Sequence, residues 1–181
     1  MTRDRYDPIT QTLHWLVAIA IVGTYALGLL MEDLQGPTKA LMLGNHMSLG
    51  VVVLGLTAVR LGWHAVAPKV DSVPASQPLI AWAARMAHLA LYAAMVAVPL
   101  IGLALIFAKG RDVSVFGLVT LPSPMAANRP LGKGLEEVHE IAAHMLVLLA
   151  GLHAAAAIGH QFWLRDGTLG RMVPFLPASR S

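Results

Sequence analysis

The stretch from Glu136 to Trp163 reads EEVHEIAAHMLVLLAGLHAAAAIGHQFW and constrains this chain more than any other. It is apolar over a length sufficient to cross a bilayer, yet it carries His139, His144, His153 and His160. Ionisable side chains are expensive at membrane depth and mark functional positions. On a helix of 3.6 residues per turn, the step from His139 to His153 makes almost four whole turns. Both rings therefore leave from nearly one face, roughly 21 Å apart along the axis. His160 keeps to that face near the membrane boundary, whereas His144 points elsewhere. The pattern is two sites stacked along one helix.

Apolar runs near 13–31, 46–66, 81–108 and 138–162 each approach or exceed the length of a spanning helix. With 56% hydrophobic and only 13% charged residues, the chain is too apolar for an ordinary soluble domain. The expectation is an all-α integral membrane four-helix bundle, a single domain over 1–181, with spans at about 8–31, 46–66, 81–108 and 138–163. Asp7-Pro8 suits the start of the first helix. Arg3 and Arg5 also precede an apolar run as in a secretory leader, but Met31-Glu32-Asp33 lacks a small-residue cleavage pattern, so the run is read as a first span. Alternating spans place Arg3, Arg5, Arg60, Lys69, Arg85, Arg165, Arg171 and Arg180 on the side of the termini. Lys39, Lys109, Arg111, Arg129 and Lys133 fall opposite, which favours N-in, C-in. The net charge of +3 is spread among loops and does not suggest a nucleic-acid partner. The absence of cysteine excludes disulfides, thiolate metal centres and covalently attached haem.

Four alternating spans pair the histidines by depth. His14 and His153 lie near the cytoplasmic end, while His46 and His139 begin helices at the other. Neutral imidazole is a good ligand for iron, copper or zinc, and no carboxylates of a di-iron bundle accompany these rings. Two histidines facing each other leave room for a flat macrocycle with both axial positions filled. Gly23, Gly28, Gly50, Gly55 and Gly151 either make that room or let helices pack closely. Arg60, fourteen residues after His46, reaches the depth of His153, where it snorkels to headgroups or pairs with a haem propionate. His88 either hydrogen-bonds locally or serves a propionate or quinone. Pro99 is expected to kink the third helix. The loop from Lys109 to Leu135 is either a solvated face or, through Lys109, Arg111, Arg129 and Lys133, a cationic funnel for a small anion.

HW in span 1, GNHMSLG in span 2, HLALYAAMVAVPLIGL in span 3, and VHE followed by GLHAAAAIGH in span 4 resemble the bacterial cytochrome b561 family over essentially the whole chain. The resemblance implies a multi-pass protein of the bacterial inner membrane with two non-covalent b-type haems. It also implies bis-histidine ligation, by His14 and His153 at the inner haem iron and by His46 and His139 at the outer one. One member of that family looks like a superoxide oxidase that passes electrons from superoxide to ubiquinone. That activity is the leading expectation, with His160 orienting a quinone carbonyl or delivering a proton, and Trp163 flanking the ring. Filled axial positions argue for electron transfer over oxygen activation. The alternative is a haem b relay subunit that links a dehydrogenase or soluble cytochrome, as redox protein partner, to the quinone pool.

Overall fold

The computed structural model describes residues 4–68, 70 and 78–178. Arg3, Lys69, Arg180 and most of the loop from Ala67 to Gln77 lie outside them. The Asp7 carboxylate accepts from the backbone N–H groups of Ile9 and Thr10 at 3.1 Å each, and Pro8 takes the first helical position, so α1 (Pro8–Leu30) starts where expected. After a short turn come α2 (Gly36–Val66) and α3 (Pro78–Ala108), which continues through Pro99. An antiparallel hairpin follows, β1 (Val113–Val115) with β2 (Val119–Leu121). Then α4 (Arg129–Gly159) begins behind an Asn128 cap and runs into a π-helical turn, His160–Leu164.

Two helices begin well before the expected spans. The second helix starts at Gly36 rather than His46, and the fourth at Arg129 rather than Val138. Hydropathy marks the segment that lipid covers, whereas a helix is free to continue into water. Pro37 and Pro130 mark the true starts, since a first turn has no use for the N–H that proline lacks and its fixed φ suits the first helical position. His46 and His139 therefore sit ten residues inside their helices. The loop between α3 and α4 ends at Asn128, and Arg129 and Lys133 occupy the first turns of α4. The small hairpin is the only departure from an all-α fold among the described residues.

α1 packs mainly on α2, α3 on α4, and α2 joins α3. Val17, Leu91, Met95, Val98 and Leu146 form the buried core. Leu146 lies seven residues from both His139 and His153, so this apolar plug separates the two histidine levels. Ile19, Val22, Leu89, Ile141 and Leu152 are each at least 60% exposed, as side chains facing lipid are. All four helices are long and apolar enough to cross a membrane. Trp15, Trp63, Trp82 and Trp163 gather at one end, as an interfacial belt does.

Both ends of the bundle are tied down. At the terminal end the Arg5 guanidinium donates to the carbonyls of Val173, Pro174 and Leu176, and Trp15 Nε1 donates to Met172 O at 3.0 Å. At the opposite end α3 closes on Gly110 in the left-handed region, with Gly110 N donating to Phe107 O and Arg111 N to Ile106 O. This 5→2 and 6→1 pattern is a Schellman stop. The hairpin is fixed by one buried hydroxyl: Ser48 Oγ accepts from Phe116 N at 2.9 Å and lies 3.2 Å from Ser114 O. Phe116 itself has φ of 50°, a costly conformation for a bulky residue that this contact helps to hold. Ser48→Ala is expected to cost about 1–3 kcal/mol by stranding that N–H. Limited proteolysis would show it as faster cleavage between residues 111 and 128; unchanged cleavage would mean the hairpin is held by something else.

Candidate functional site

At the level nearer the hairpin, His46 and His139 face each other with ring centres 6.1 Å apart. His46 Nδ1 lies 2.8 Å from Thr24 O on α1, and His139 Nδ1 lies 3.1 Å from Val98 O on α3. Carbonyls only accept, so each Nδ1 carries the proton and each Nε2 keeps a free lone pair. A glycine stands one helical turn after each carbonyl. A Cβ on Gly102 would sit 2.9 Å from His139 Cε1, and one on Gly28 would sit 3.4 Å from His46 Cε1. The imidazoles thus lie in notches that these two glycines open.

At the other level, His14 and His153 have ring centres 6.3 Å apart. His88 joins them, 5.1 Å from His153, with its Nδ1 donating to Ala84 O of its own helix at 2.7 Å. Arg60 places its guanidinium carbon 5.4 Å from the Tyr92 ring centre, a cation–π contact at this same end. His14 Nδ1 is buried without a hydrogen-bond partner among the described residues.

Imidazoles that ligate one metal ion from opposite sides, with bonds of about 2 Å, stand roughly 6 Å apart centre to centre. Both pairs meet this distance, whereas His88 and His153 are too close. Among the described residues no third His, Asp or Glu completes a protein-only metal site, so the remaining positions would fall to a non-protein ligand in the plane between the rings. The His46–His139 pair opens on a cavity of about 660 Å³ lined by Gly28, Gly50, Val53 and Gly102, within the usual size of a cofactor site. The donor set and its spacing fit a haem at each level.

The expected funnel residues are all exposed. Lys109 and Arg111 border the same cavity, but Lys109 pairs with Glu136 at 2.8 Å. Among the described residues no carboxylate pairs with Arg111, Arg129 or Lys133. His144 stacks edge-on against Tyr25 on the cavity wall. At the end of the bundle that holds the termini, His160 Nδ1 lies 2.5 Å from Asp166 Oδ2, and Thr168 donates to Oδ1 through its N–H and hydroxyl at 3.0 and 2.6 Å. Burial raises the Asp166 pKa, but the hydrogen bonds from His160 and Thr168 outweigh it, holding the carboxyl below its ordinary value. Trp163, 86% exposed, is an interface anchor rather than the wall of a closed pocket.

A membrane-crossing bundle with imidazoles facing each other in its interior defines a class, the membrane redox carriers built on helix-held metal groups. The sequence model described as prokaryotic cytochrome b561 matches residues 5–175. Cytochrome b561 homolog 2 of Escherichia coli (strain K12) is 33% identical over 176 residues, covering 95% of this chain and 93% of the relative. The probable superoxide oxidase CybB of Yersinia pestis is 31% identical over 170 residues, covering 94% and 96%. Cytochrome b562 of Cereibacter sphaeroides is 29% identical, covering 93% and 94%. The chain belongs to the prokaryotic cytochrome b561 family, membrane proteins that carry electrons through haem b.

Sequence reading missed the carbonyls of Thr24 and Val98, the role of Gly102, and Asp166. TYALG and VPLIG share the spacing of a carbonyl residue followed by glycine at the fourth position, but nothing in one dimension says which histidine lies across which glycine.

Proposed function

We propose that this protein oxidises superoxide on its outer face and reduces ubiquinone on its inner face, working in the bacterial inner membrane with both termini in the cytoplasm. The observation that carries the proposal is the pair of facing imidazoles at each of two levels, joined to the likeness with a probable superoxide oxidase. His14 with His153 would hold the inner haem and His46 with His139 the outer one. Haem held in this way supplies reversible one-electron exchange. Each superoxide gives up one electron and leaves as dioxygen; one ubiquinone takes up two electrons and two protons to form ubiquinol.

The chain's own groups serve the two ends of that route. Arg111, Arg129 and Lys133 raise the local concentration of an anion near the outer cavity, while the Lys109–Glu136 pair contributes little net field. His160, with Nδ1 committed to Asp166, presents Nε2 for a quinone oxygen and for proton delivery. Arg60 and His88 stand beside the inner pair as groups for a haem carboxylate. The apolar plug around Leu146 keeps water out of the path between the levels.

A stopped-flow spectrum of the oxidised holoprotein after a superoxide pulse, with and without a ubiquinone analogue, tests this reading. Rapid haem reduction, with reoxidation only when quinone is present, is expected. Haem that stays oxidised under superoxide yet reduces with dithionite would support the relay reading instead. The hairpin tip favours that second reading, since Leu118 is 84% exposed and Val119 58%, an apolar knob beside the outer site. Charge-neutral Arg111→Gln with Lys133→Gln is expected to slow the superoxide step about tenfold at low salt and flatten its salt dependence. An unchanged rate would remove the funnel from the mechanism.

A further inference from the structure

The two histidine levels have similar ring spacings, yet they are held differently. Both outer imidazoles donate Nδ1–H to a backbone carbonyl of a neighbouring helix, Thr24 O for His46 and Val98 O for His139. Neither inner imidazole has a hydrogen-bond partner among the described residues, and His14 Nδ1 is buried without one. The difference is built into the helices. Each accepting carbonyl lies four residues before a glycine, so the atom that would block its approach is absent. On α3 this fit is tight: the missing Gly102 Cβ would fall 2.9 Å from His139 Cε1 and 3.3 Å from Nδ1.

A ligating imidazole that donates its other N–H becomes a more basic ligand. A more basic axial ligand favours ferric over ferrous iron, so second-shell hydrogen bonding lowers the reduction potential. At the inner level the groups that stand nearby act in the opposite sense. The Arg60 cation sits at that end, and a positive charge favours the state with one electron more.

We propose that Thr24–Gly28 and Val98–Gly102 are positioning elements that give the outer haem the lower reduction potential of the two. Electron movement from the outer to the inner level is then downhill, and the direction of transfer is set by backbone carbonyls and glycines rather than by a difference in ligand type. This inference rests on the two-haem reading above.

The test is a redox titration of the purified holoprotein followed by haem absorbance, on the parent and on three variants. The parent is expected to show two components. The haem left in His153→Ala is expected to titrate at the lower of the two potentials, and the haem left in His139→Ala at the higher. Gly102→Ala, which pushes His139 off Val98 O, is expected to raise the lower component and leave the other in place. If Gly102→Ala does not assemble, the ordering seen in the two histidine variants still decides. Equal potentials, or the lower one remaining in His139→Ala, would overturn the inference while leaving the two-haem reading intact. A parent that holds a single haem would overturn the two-haem reading, and this inference with it.

Discussion

On the two-haem reading proposed above, His139→Ala is expected to bring the haem content from two per chain to about one, with the inner haem retained, and His153→Ala to do the reverse. The argument is geometric. Each pair spans one gap of about 6 Å, the separation two imidazoles adopt across a shared metal ion. Removing one ring would leave the opposite ring as the one protein ligand facing that gap and would open the gap to solvent or lipid. The other pair lies about 21 Å along the helix, beyond the Val17, Leu91, Met95, Val98 and Leu146 plug, and its rings touch none of the altered atoms. His88→Ala is the informative control: its ring stands 5.1 Å from His153 and is tied to Ala84 O, so both haems are expected to stay. Haem content and reduced-minus-oxidised spectra measure all three. Equal loss of both haems in His139→Ala and His153→Ala would break the pairing, and loss of the inner haem in His88→Ala would make that residue the ligand.

Much of this arrangement is legible in one dimension because a membrane simplifies the code. Lipid demands long apolar helices with paired backbone groups, so the four spans are visible as composition, and alternation of direction then assigns each histidine a depth. The helical repeat does the rest: fourteen residues return His153 to the face of His139, and the structure indeed brings each to a partner about 6 Å away. Helix ends are less visible. Beyond the lipid, α2 and α4 continue as amphipathic turns that carry Lys39, Arg129 and Lys133, and hydropathy reads those turns as loop. The anchoring of the outer imidazoles is invisible for a different reason. It depends on carbonyls, which every residue has, and on a neighbouring helix's rotation, which sequence spacing does not give. The Lys109–Glu136 pair shows the same limit, since its members are 27 residues apart and meet only when the start of α4 packs beside the end of α3.

On the proposed route, loss of the His160–Asp166 pair is expected to uncouple the two ends. His160→Ala should slow quinone reduction by about a hundredfold, the scale on which a positioned proton donor acts, while haem reduction by superoxide stays at the parent rate. Asp166→Asn separates positioning from packing. An amide of the same shape no longer holds a charge against Nδ1, so quinone reduction should fall although the turn from His160 to Leu164 persists. The Asp166 pKa lies below its ordinary value because donors from His160 and Thr168 outweigh burial. The folding stability contributed by this carboxylate is therefore present above the unfolded carboxyl pKa of about 3.9 and is lost as pH falls through the lower folded value. Across the neutral range the aspartate stays ionised, so acid inactivation of the parent should begin only near or below pH 4 at this site. Thermal unfolding of the detergent-solubilised holoprotein against pH, parent beside Asp166→Asn, measures that share: the two curves should converge as the pH drops. Parallel curves would show that the carboxylate does not stabilise the inner end. Parent-like quinone reduction in His160→Ala would move the quinone site elsewhere on the bundle.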